Sequence, residues 1–82
     1  MGLEGTLVVF DRKRVEEIAR NFLAQNYAVL DVREPTLEDH TWMVEADVLL
    51  FSTYYIKQVM IDAQTGRILG CESRPYPKIA SL

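Results

Sequence analysis

The chain contains few of the residues that metal sites, disulfides and thiol catalysis require. Cys71 is its one cysteine and His40 its one histidine. One cysteine excludes an intrachain disulfide, and a structural zinc site usually takes about four ligands from Cys and His. A thiol nucleophile also needs a base within hydrogen-bond reach, and these two residues lie far apart in the sequence. We therefore expect no cofactor, no metal and no catalytic residues.

Long apolar runs and an excess of positive charge are also absent. No segment approaches the roughly 20 consecutive apolar residues of a membrane-spanning helix. The N-terminus carries Glu4 where a signal peptide has basic residues. The net charge is -3, whereas nucleic-acid binding normally requires a strongly basic surface. The expected protein is cytoplasmic and binds neither membranes nor nucleic acids.

What is present is the composition of a small globular domain. The 82 residues are 49% apolar and 26% charged, a balance typical of folded proteins. We expect a single domain over residues 1–82, with a flexible N-terminus over 1–5 and an extended, proline-containing arm over 74–82. A chain this short buries only about 60–65% of its unfolded surface, so pairing with a second copy would stabilise it. A homodimer is the expected state.

Apolar residues with helical spacing follow Asp11. They recur at positions i, i+3, i+4, i+7 and i+8 and are Val15, Ile18, Ala19, Phe22 and Leu23. This pattern predicts a helix from about Arg12 to Gln25. Asp11 can cap its N-terminus by accepting a hydrogen bond from a free backbone N–H group. The β-branched, apolar segment before it, Thr6–Phe10, predicts a short strand.

After the helix, the apolar period changes from 3.6 to 2 residues, which indicates β-strands. The predicted strands are Tyr27–Arg33, His40–Phe51, Tyr54–Asp62 and Arg67–Ser73, with a loop over Glu34–Asp39 and a break at Ser52-Thr53. We therefore predict an α+β fold of order β-α-β-β-β-β. In it, one main α-helix packs across an antiparallel β-sheet of about four to five strands.

Alternation within the strands predicts which side chains meet the helix. In the longest strand, the even positions form one apolar face, which consists of Trp42, Val44, Ala46, Val48 and Leu50. In the strand after the helix, the same reasoning places Ala28, Leu30 and Val32 on one face. Both faces of the Tyr54–Asp62 strand are apolar, so its phase stays open, with a bulge near Lys57-Gln58 as one solution.

The segment Asp62-Ala63-Gln64-Thr65-Gly66 has the composition of a hairpin turn. Asp62 can bond nearby backbone N–H groups, and Gly66 can adopt the positive φ that a glycine bulge requires. Asp62 and Thr65 could instead be a catalytic acid and nucleophile, but their spacing suits a tight turn better. We interpret Asp62, Thr65 and Gly66 as structural turn residues.

Three segments together resemble a PepSY domain. They are the helix face over Val15–Leu23, the triplet Trp42-Met43-Val44, and the sequence Val59-x-Ile61-Asp62-Ala63-x-Thr65-Gly66-x-Ile68-Leu69. The likeness spans roughly Arg12 to Cys71, and its last segment is the most specific. The resemblance implies a cystatin-like fold and a stand-alone, single-domain member of the family. It also implies a role in binding or regulating peptidases, since PepSY domains occur in protease propeptides and envelope proteins.

The face of the sheet opposite the helix is the predicted working surface. With one helix to cover the sheet, its other face should be open and expose an apolar patch. The candidate interface residues are Met43, Leu49, Phe51, Tyr54, Ile56 and Met60. We expect this face to bind a second copy, or a protein or peptide partner such as a peptidase, without catalysis.

Two other classes of function stay open. Acidic residues could converge at one end of the sheet and hold a calcium ion, which takes about six to eight oxygen ligands. These residues are Asp31, Glu34, Glu38, Asp39, Glu45 and Asp47. A small ligand on the concave face of the sheet is the related alternative. An enzyme is the weakest interpretation, because no nucleophile, base and orienting group can be assembled from spacing alone.

Overall fold

The computed structural model describes residues 10–75, which contain one helix and five strands. Their bounds are Arg12–Leu23 (α1), Ala28–Val32 (β1), Thr36–Glu38 (β2), Thr41–Leu50 (β3), Thr53–Asp62 (β4) and Ile68–Pro75 (β5). The strands form one antiparallel sheet of order β1-β3-β4-β5, and β2 also pairs with β3. One helix packed on an antiparallel five-stranded sheet confirms the predicted α+β class. The strand predicted at Thr6–Phe10 lies outside the described residues, apart from Phe10.

Helix α1 begins at the predicted cap. The side chain of Asp11 accepts a hydrogen bond from the backbone N–H of Arg14 at 2.8 Å, which satisfies one of the donors that a helix start leaves free. The predicted apolar face is confirmed, because Val15, Ala19 and Leu23 are buried and the helix packs on β1 and β3. The helix ends at Leu23, before the predicted end, because N–H groups of the following residues fold back onto the Leu23 carbonyl.

The core lies between α1 and one face of the two longest strands. The alternation predicted for β3 is confirmed, because Val44, Ala46 and Val48 are 0% exposed. Val59 and Ile61 of β4 are buried in the same layer. Full burial of an aliphatic side chain of this size stabilises the fold by about 1.5–3 kcal/mol. This layer is therefore the main source of stability.

Strand β1 contains a bulge that the sequence pattern does not show. Val29 and Asp31 lie opposite consecutive residues of β3, so Leu30 between them is an extra residue in the ladder. The predicted common face of Ala28, Leu30 and Val32 is therefore wrong, because a bulge shifts the alternation by one residue. Val29 and Val32 pack against the core, while Leu30 is 51% exposed.

The segment predicted as a loop over Glu34–Asp39 contains strand β2. It pairs with the start of β3 through a two-residue turn at Asp39-His40, whose φ angles are 47° and 67°. Two positive φ values give a tight hairpin turn with a twist that matches the strands. The loop prediction is wrong because buried Pro35 interrupts an edge strand without ending it. β1 and β2 lie in succession along the same edge of β3.

A second turn of this kind joins β3 to β4. It is formed by Phe51 and Ser52, with φ of 50° and 66°, one residue earlier than the predicted break. β4 then pairs with β3 over its whole length without a register shift, so the bulge considered near Lys57-Gln58 is absent. The register shift in the β4–β5 pairing arises instead from Leu69, an extra residue of β5 between the partners of Met60 and Ile61.

Strand β5 extends through Pro75, beyond the predicted end at Ser73. Arg74, the first residue of the predicted C-terminal arm, lies opposite Ile56 of β4. The arm thus begins inside the sheet, and its remainder, 76–82, lies outside the described residues.

Candidate functional site

The face of the sheet turned away from α1 is formed by alternating residues of β3 and β4. Its side chains in these strands are Met43, Glu45, Asp47, Leu49, Tyr54, Ile56, Gln58 and Met60. We call it the open face, because residues 10–75 contain no second helix that could cover it. The structure places every predicted interface residue on this face except Phe51, which lies in the β3–β4 turn.

Charged side chains occupy the centre of the open face. Arg33, which follows β1, donates from Nη1 to Glu45 Oε1 at 3.1 Å and from Nη2 to Asp47 Oδ1 at 2.6 Å. Arg74 of β5 donates from Nη2 to Glu45 Oε2. We call these four residues the charged centre, which links the two edges of the sheet. Because the pairs are partly exposed to solvent, each contributes only about 0–1 kcal/mol.

The charged centre covers one apolar residue. Ile56 lies between Asp47 on β3 and Arg74 on β5, and the side chain of Arg74 crosses β4 to reach Glu45. Ile56 is accordingly only 7% exposed although it faces away from the helix. Its side chain supports the charged centre and presents little surface to a partner.

The two methionines of the open face lie opposite each other at its far end. Met43 and Met60 are half-buried cross-strand neighbours. The Cε atom of Met60 lies 3.0 Å from the position that a Cβ on Gly70 would take. Met60 therefore folds over β5 at the point where glycine leaves room for it.

Within residues 10–75, the most exposed large apolar side chain is that of Phe51, at 90%. Tyr54 is 52% exposed and lies opposite Leu49 on the adjacent end of the open face. We call Leu49, Phe51 and Tyr54 the tip patch. Aromatic residues of this kind contribute most of the binding energy in many protein interfaces.

The backbone of Phe51 is unusual for a bulky residue. Its φ of 50° lies in the left-handed region, and this turn position normally holds Asn, Asp or Gly. A non-glycine residue in this region costs about 1–3 kcal/mol. Since the side chain is exposed, no burial within residues 10–75 offsets that cost. Residues in such conformations cluster at functional sites, so Phe51 is a candidate contact residue.

The β4–β5 turn uses its polar side chains internally. Asp62 Oδ1 accepts hydrogen bonds from the backbone N–H groups of Gln64 and Thr65 at 2.8 and 3.2 Å. Thr65 Oγ1 accepts from the backbone N–H of Arg67 at 3.2 Å, and Gly66 has φ of 77°. These bonds use Asp62 Oδ1 and Thr65 Oγ1 to fix the backbone of the turn, so the arrangement fits a structural turn.

Phe10 closes the core beside this turn. Its N–H donates to the Ala63 carbonyl at 2.8 Å, and its carbonyl accepts from Trp42 Nε1 at 2.8 Å. A Cβ at Gly66 would lie 2.6 Å from the Phe10 ring. Glycine is therefore needed at this position for close approach as well as for its positive φ.

Cys71 and His40 do not form a nucleophile–base pair. His40 lies in the β2–β3 turn, where its carbonyl accepts from the N–H of Ala63 at 2.9 Å. Cys71 lies opposite Val59, which is four residues before Ala63 and so about 13 Å away along the strand. This separation is far too long for the hydrogen bond that activation of a thiol requires.

A hollow of about 250 Å³ lies on the open face beside β2. Its lining residues are Arg33, Glu34, Thr36, Glu38, Met43, Glu45 and Gln58. Arg33 and Glu45 bind each other, and Glu34 accepts from Arg12. No three His, Cys, Asp or Glu side chains of residues 10–75 form a group able to hold a metal ion. The calcium alternative gains no support from this part of the chain.

Sequence reasoning did not select Arg33 and Arg74. The available signal was the pair Glu45 and Asp47, two acids at outward positions of an otherwise apolar strand. Buried or half-buried acids require cationic or hydrogen-bonding partners, so arginines near them were to be expected. Which arginines supply the charge depends on the pairing of β1 and β5 with the central strands, which is not a local property.

The single helix of the described residues has 12 residues, against the roughly 20 of a bilayer crossing. No helix in residues 10–75 combines the length and apolar character needed to span a membrane. A scan against protein-family models, a search of curated proteins and a search of solved structures each gave no match to this chain.

Proposed function

We propose that this chain is a non-enzymatic, PepSY-like module that binds a protein or peptide partner through the open face of its sheet and the tip patch. Self-association through the sheet is one form of this binding. The observation that carries the proposal is Phe51, which is 90% exposed in a backbone conformation that disfavours its side chain. The residues that usually occupy such a turn position are Asn, Asp and Gly.

The chemistry of the surface defines the partner. Leu49, Phe51 and Tyr54 offer an apolar, aromatic anchor, and the charged centre beside it offers two cations and two carboxylates. Protein interfaces commonly combine an apolar core with a polar rim. The partner segment should therefore bury an apolar side chain on the tip patch and direct polar groups towards Arg33 and Arg74.

The family assignment is part of the proposal. A helix across an antiparallel sheet and the turn over Asp62–Gly66 are compatible with the PepSY resemblance and with a cystatin-like strand arrangement. That resemblance makes a peptidase the first class of partner to test. Binding without catalysis is the form of regulation proposed.

The hollow beside β2 favours a second candidate, which is small-ligand binding. Its volume of about 250 Å³ lies just below the roughly 300–1,000 Å³ of typical ligand pockets. Its lining carries three glutamates and one arginine, so a cationic ligand would suit it best. We rank this candidate second, because Arg33 already binds Glu45 within it.

The proposed function is tested by partner capture with matched variants. Immobilised wild-type chain and the double variant Leu49→Glu, Phe51→Glu are incubated with lysate of the native host, and retained proteins are quantified by mass spectrometry. A protein retained by the wild type is then purified and its affinity measured for both chains. We expect the double variant to bind it at least tenfold more weakly, as for the loss of an aromatic hot spot of about 1.4 kcal/mol or more.

The control variant is Leu37→Glu, Leu69→Glu. These leucines are 47% and 57% exposed and lie outside the tip patch, so the control makes the same chemical change elsewhere. Circular dichroism establishes that each variant is folded. Equal affinity of the tip-patch variant and the wild type for the partner would overturn the proposal, as would equal losses in both double variants.

A further inference from the structure

Strand β5 is an outer edge of the sheet within the described residues, because its one partner strand there is β4. It is eight residues long, and the side chains from Cys71 to Arg74 are exposed. Edge strands present unpaired N–H and C=O groups, and proteins usually protect them with bulges, prolines or short lengths. The opposite edge has all three protections, in Leu30, Pro35 and the three-residue strand β2. β5 has a bulge at Leu69 and a proline at Pro75, but both lie near its ends and leave the residues 70–74 between them regularly paired with β4.

The hydrogen bonds fix which backbone groups of β5 point outward. Asp62 N–H donates to the carbonyl of Arg67, so Asp62 directs its groups towards the β5 side. Because β4 pairs with β3 without a shift, every second residue before Asp62 does the same. Their partners in β5 are Gly70, Glu72 and Arg74. The N–H and C=O groups of Cys71 and Ser73 therefore point away from the sheet.

We propose that two copies of the chain pair through this edge, with their β5 strands antiparallel and a two-fold axis at Ser73. The inference rests on the proposed function, since it names a second copy as one partner and assigns it a surface distinct from the tip patch. The two Ser73 residues exchange N–H···O=C bonds, and each Cys71 N–H donates to the Pro75 carbonyl of the second copy. Pro75 has no N–H to donate in return, so the Cys71 carbonyl opposite it stays unbonded and the ladder between the two copies ends at this pair.

Charge selects this register among those that two-fold symmetry allows. An axis at Glu72 or Arg74 places identical charges opposite each other, which destabilises a strand pair. An axis at Cys71 places the bulged region at Leu69 opposite Ser73. The axis at Ser73 places Glu72 of each copy opposite Arg74 of the other, which gives two pairs of opposite charge. Glu72 has no ion pair within residues 10–75, and Arg74 keeps donors beyond the one bound to Glu45.

Sedimentation velocity over a concentration series tests whether the chain dimerises through β5. We expect a monomer–dimer equilibrium for the wild type and a dimer weakened roughly tenfold by Glu72→Arg, which creates two like-charge pairs. Ser73→Pro should abolish the dimer, because it removes an outward N–H without removing a bond to β4. Glu38→Arg makes the same charge change on the opposite edge and should leave the dimer intact. Circular dichroism establishes that the variants are folded.

The register is tested through Cys71, the one cysteine. With the axis at Ser73, the two Cys71 residues are four positions apart along the strands, which gives Cα atoms about 14 Å apart. An axis at Cys71 would bring them to about 5.5 Å. Spin–spin distances from a nitroxide on Cys71 separate these cases, and the longer distance is expected.

A wild-type chain that stays monomeric at high micromolar concentration would overturn the inference. So would a dimer that Glu72→Arg and Ser73→Pro do not weaken, or a short nitroxide distance. These failures are distinguishable from failure of the proposed function. If the chain is a monomer but still binds its partner through the tip patch, only the pairing through β5 is refuted. If the chain is a dimer but substitutions in the tip patch leave partner binding unchanged, only the open-face proposal is refuted.

Discussion

Val44 and Glu45 are neighbours in β3 but face opposite surroundings. Val44 is fully buried against the helix layer, whereas Glu45 holds two arginines on the open face. The same alternation separates Ile61 from Met60 in β4. One face is thus organised by burial of apolar area, and the other by partly exposed ion pairs and an aromatic tip. The comparison places the main source of stability on the face packed against the helix, whereas the proposed binding surface lies on the other face.

The largest expected effect comes from a substitution on the face of the sheet that packs against α1, which we call the covered face. Ile61→Ala removes a side chain that is 0% exposed and should lower the free energy of unfolding by about 2–5 kcal/mol. Met60→Ala, the matched change on the open face, should cost less than half as much, because Met60 is only half-buried. Urea denaturation of both variants measures the difference, and equal losses would refute the division between the faces.

The next effect concerns the closure of the covered face by Phe10. Gly66→Ala places a Cβ 2.6 Å from the Phe10 ring at a residue with φ of 77°. We expect a loss of about 1–3 kcal/mol from the left-handed conformation, together with displacement of the ring. Thermal unfolding measures the loss, and Gln64→Ala, at an exposed residue of the same turn, is the control for a change without that contact. A melting temperature unchanged by Gly66→Ala would contradict the close approach.

A third prediction is a gain of stability on the open side. Phe51→Asn replaces a bulky residue at φ of 50° with one that tolerates positive φ. The free energy of unfolding should rise by about 1 kcal/mol, the lower end of the cost of a left-handed non-glycine residue. For a chain of this size, the melting temperature should rise by about 4–8 °C. A fall in stability would mean that Phe51 serves the fold itself.

The smallest effect concerns the charged centre. Glu45→Gln keeps the size of the side chain but removes the charge that pairs with Arg33 and Arg74. Because these groups are partly exposed, the loss should stay below about 1 kcal/mol and should shrink as added salt screens the pairs. Unfolding in low and high salt measures it. A loss above about 2 kcal/mol, independent of salt, would show that the open face also carries the core stability.

The parts of the fold that follow from local periodicity could be predicted from sequence. The apolar face of α1 and the buried layer at Val44, Ala46 and Val48 are visible in the spacing alone. The bulge at Leu30 and the strand beyond Pro35 were not predictable, because they depend on how an edge segment follows β3. Period counting assumes unbroken alternation, which a single extra residue cancels.

The position of the candidate surface was predicted from sequence, but the charged side chains that cover part of it were not. Outward apolar positions of β3 and β4 identify the open face, but the cover over Ile56 arises from Arg74 on a distant strand. The turn at Phe51 was also placed one residue late, because a phenylalanine is not the residue type that marks a two-residue turn. Both differences come from side chains whose surroundings are set by tertiary pairing.

The central claim is that the open face and its tip patch bind a partner, while the covered face maintains the fold. The most direct test measures both properties in Phe51→Asn. The partner identified by capture with the wild type is titrated against wild-type and variant chains while their free energies of unfolding are compared. The account predicts a more stable variant that binds at least tenfold more weakly. A more stable variant with unchanged affinity would contradict it.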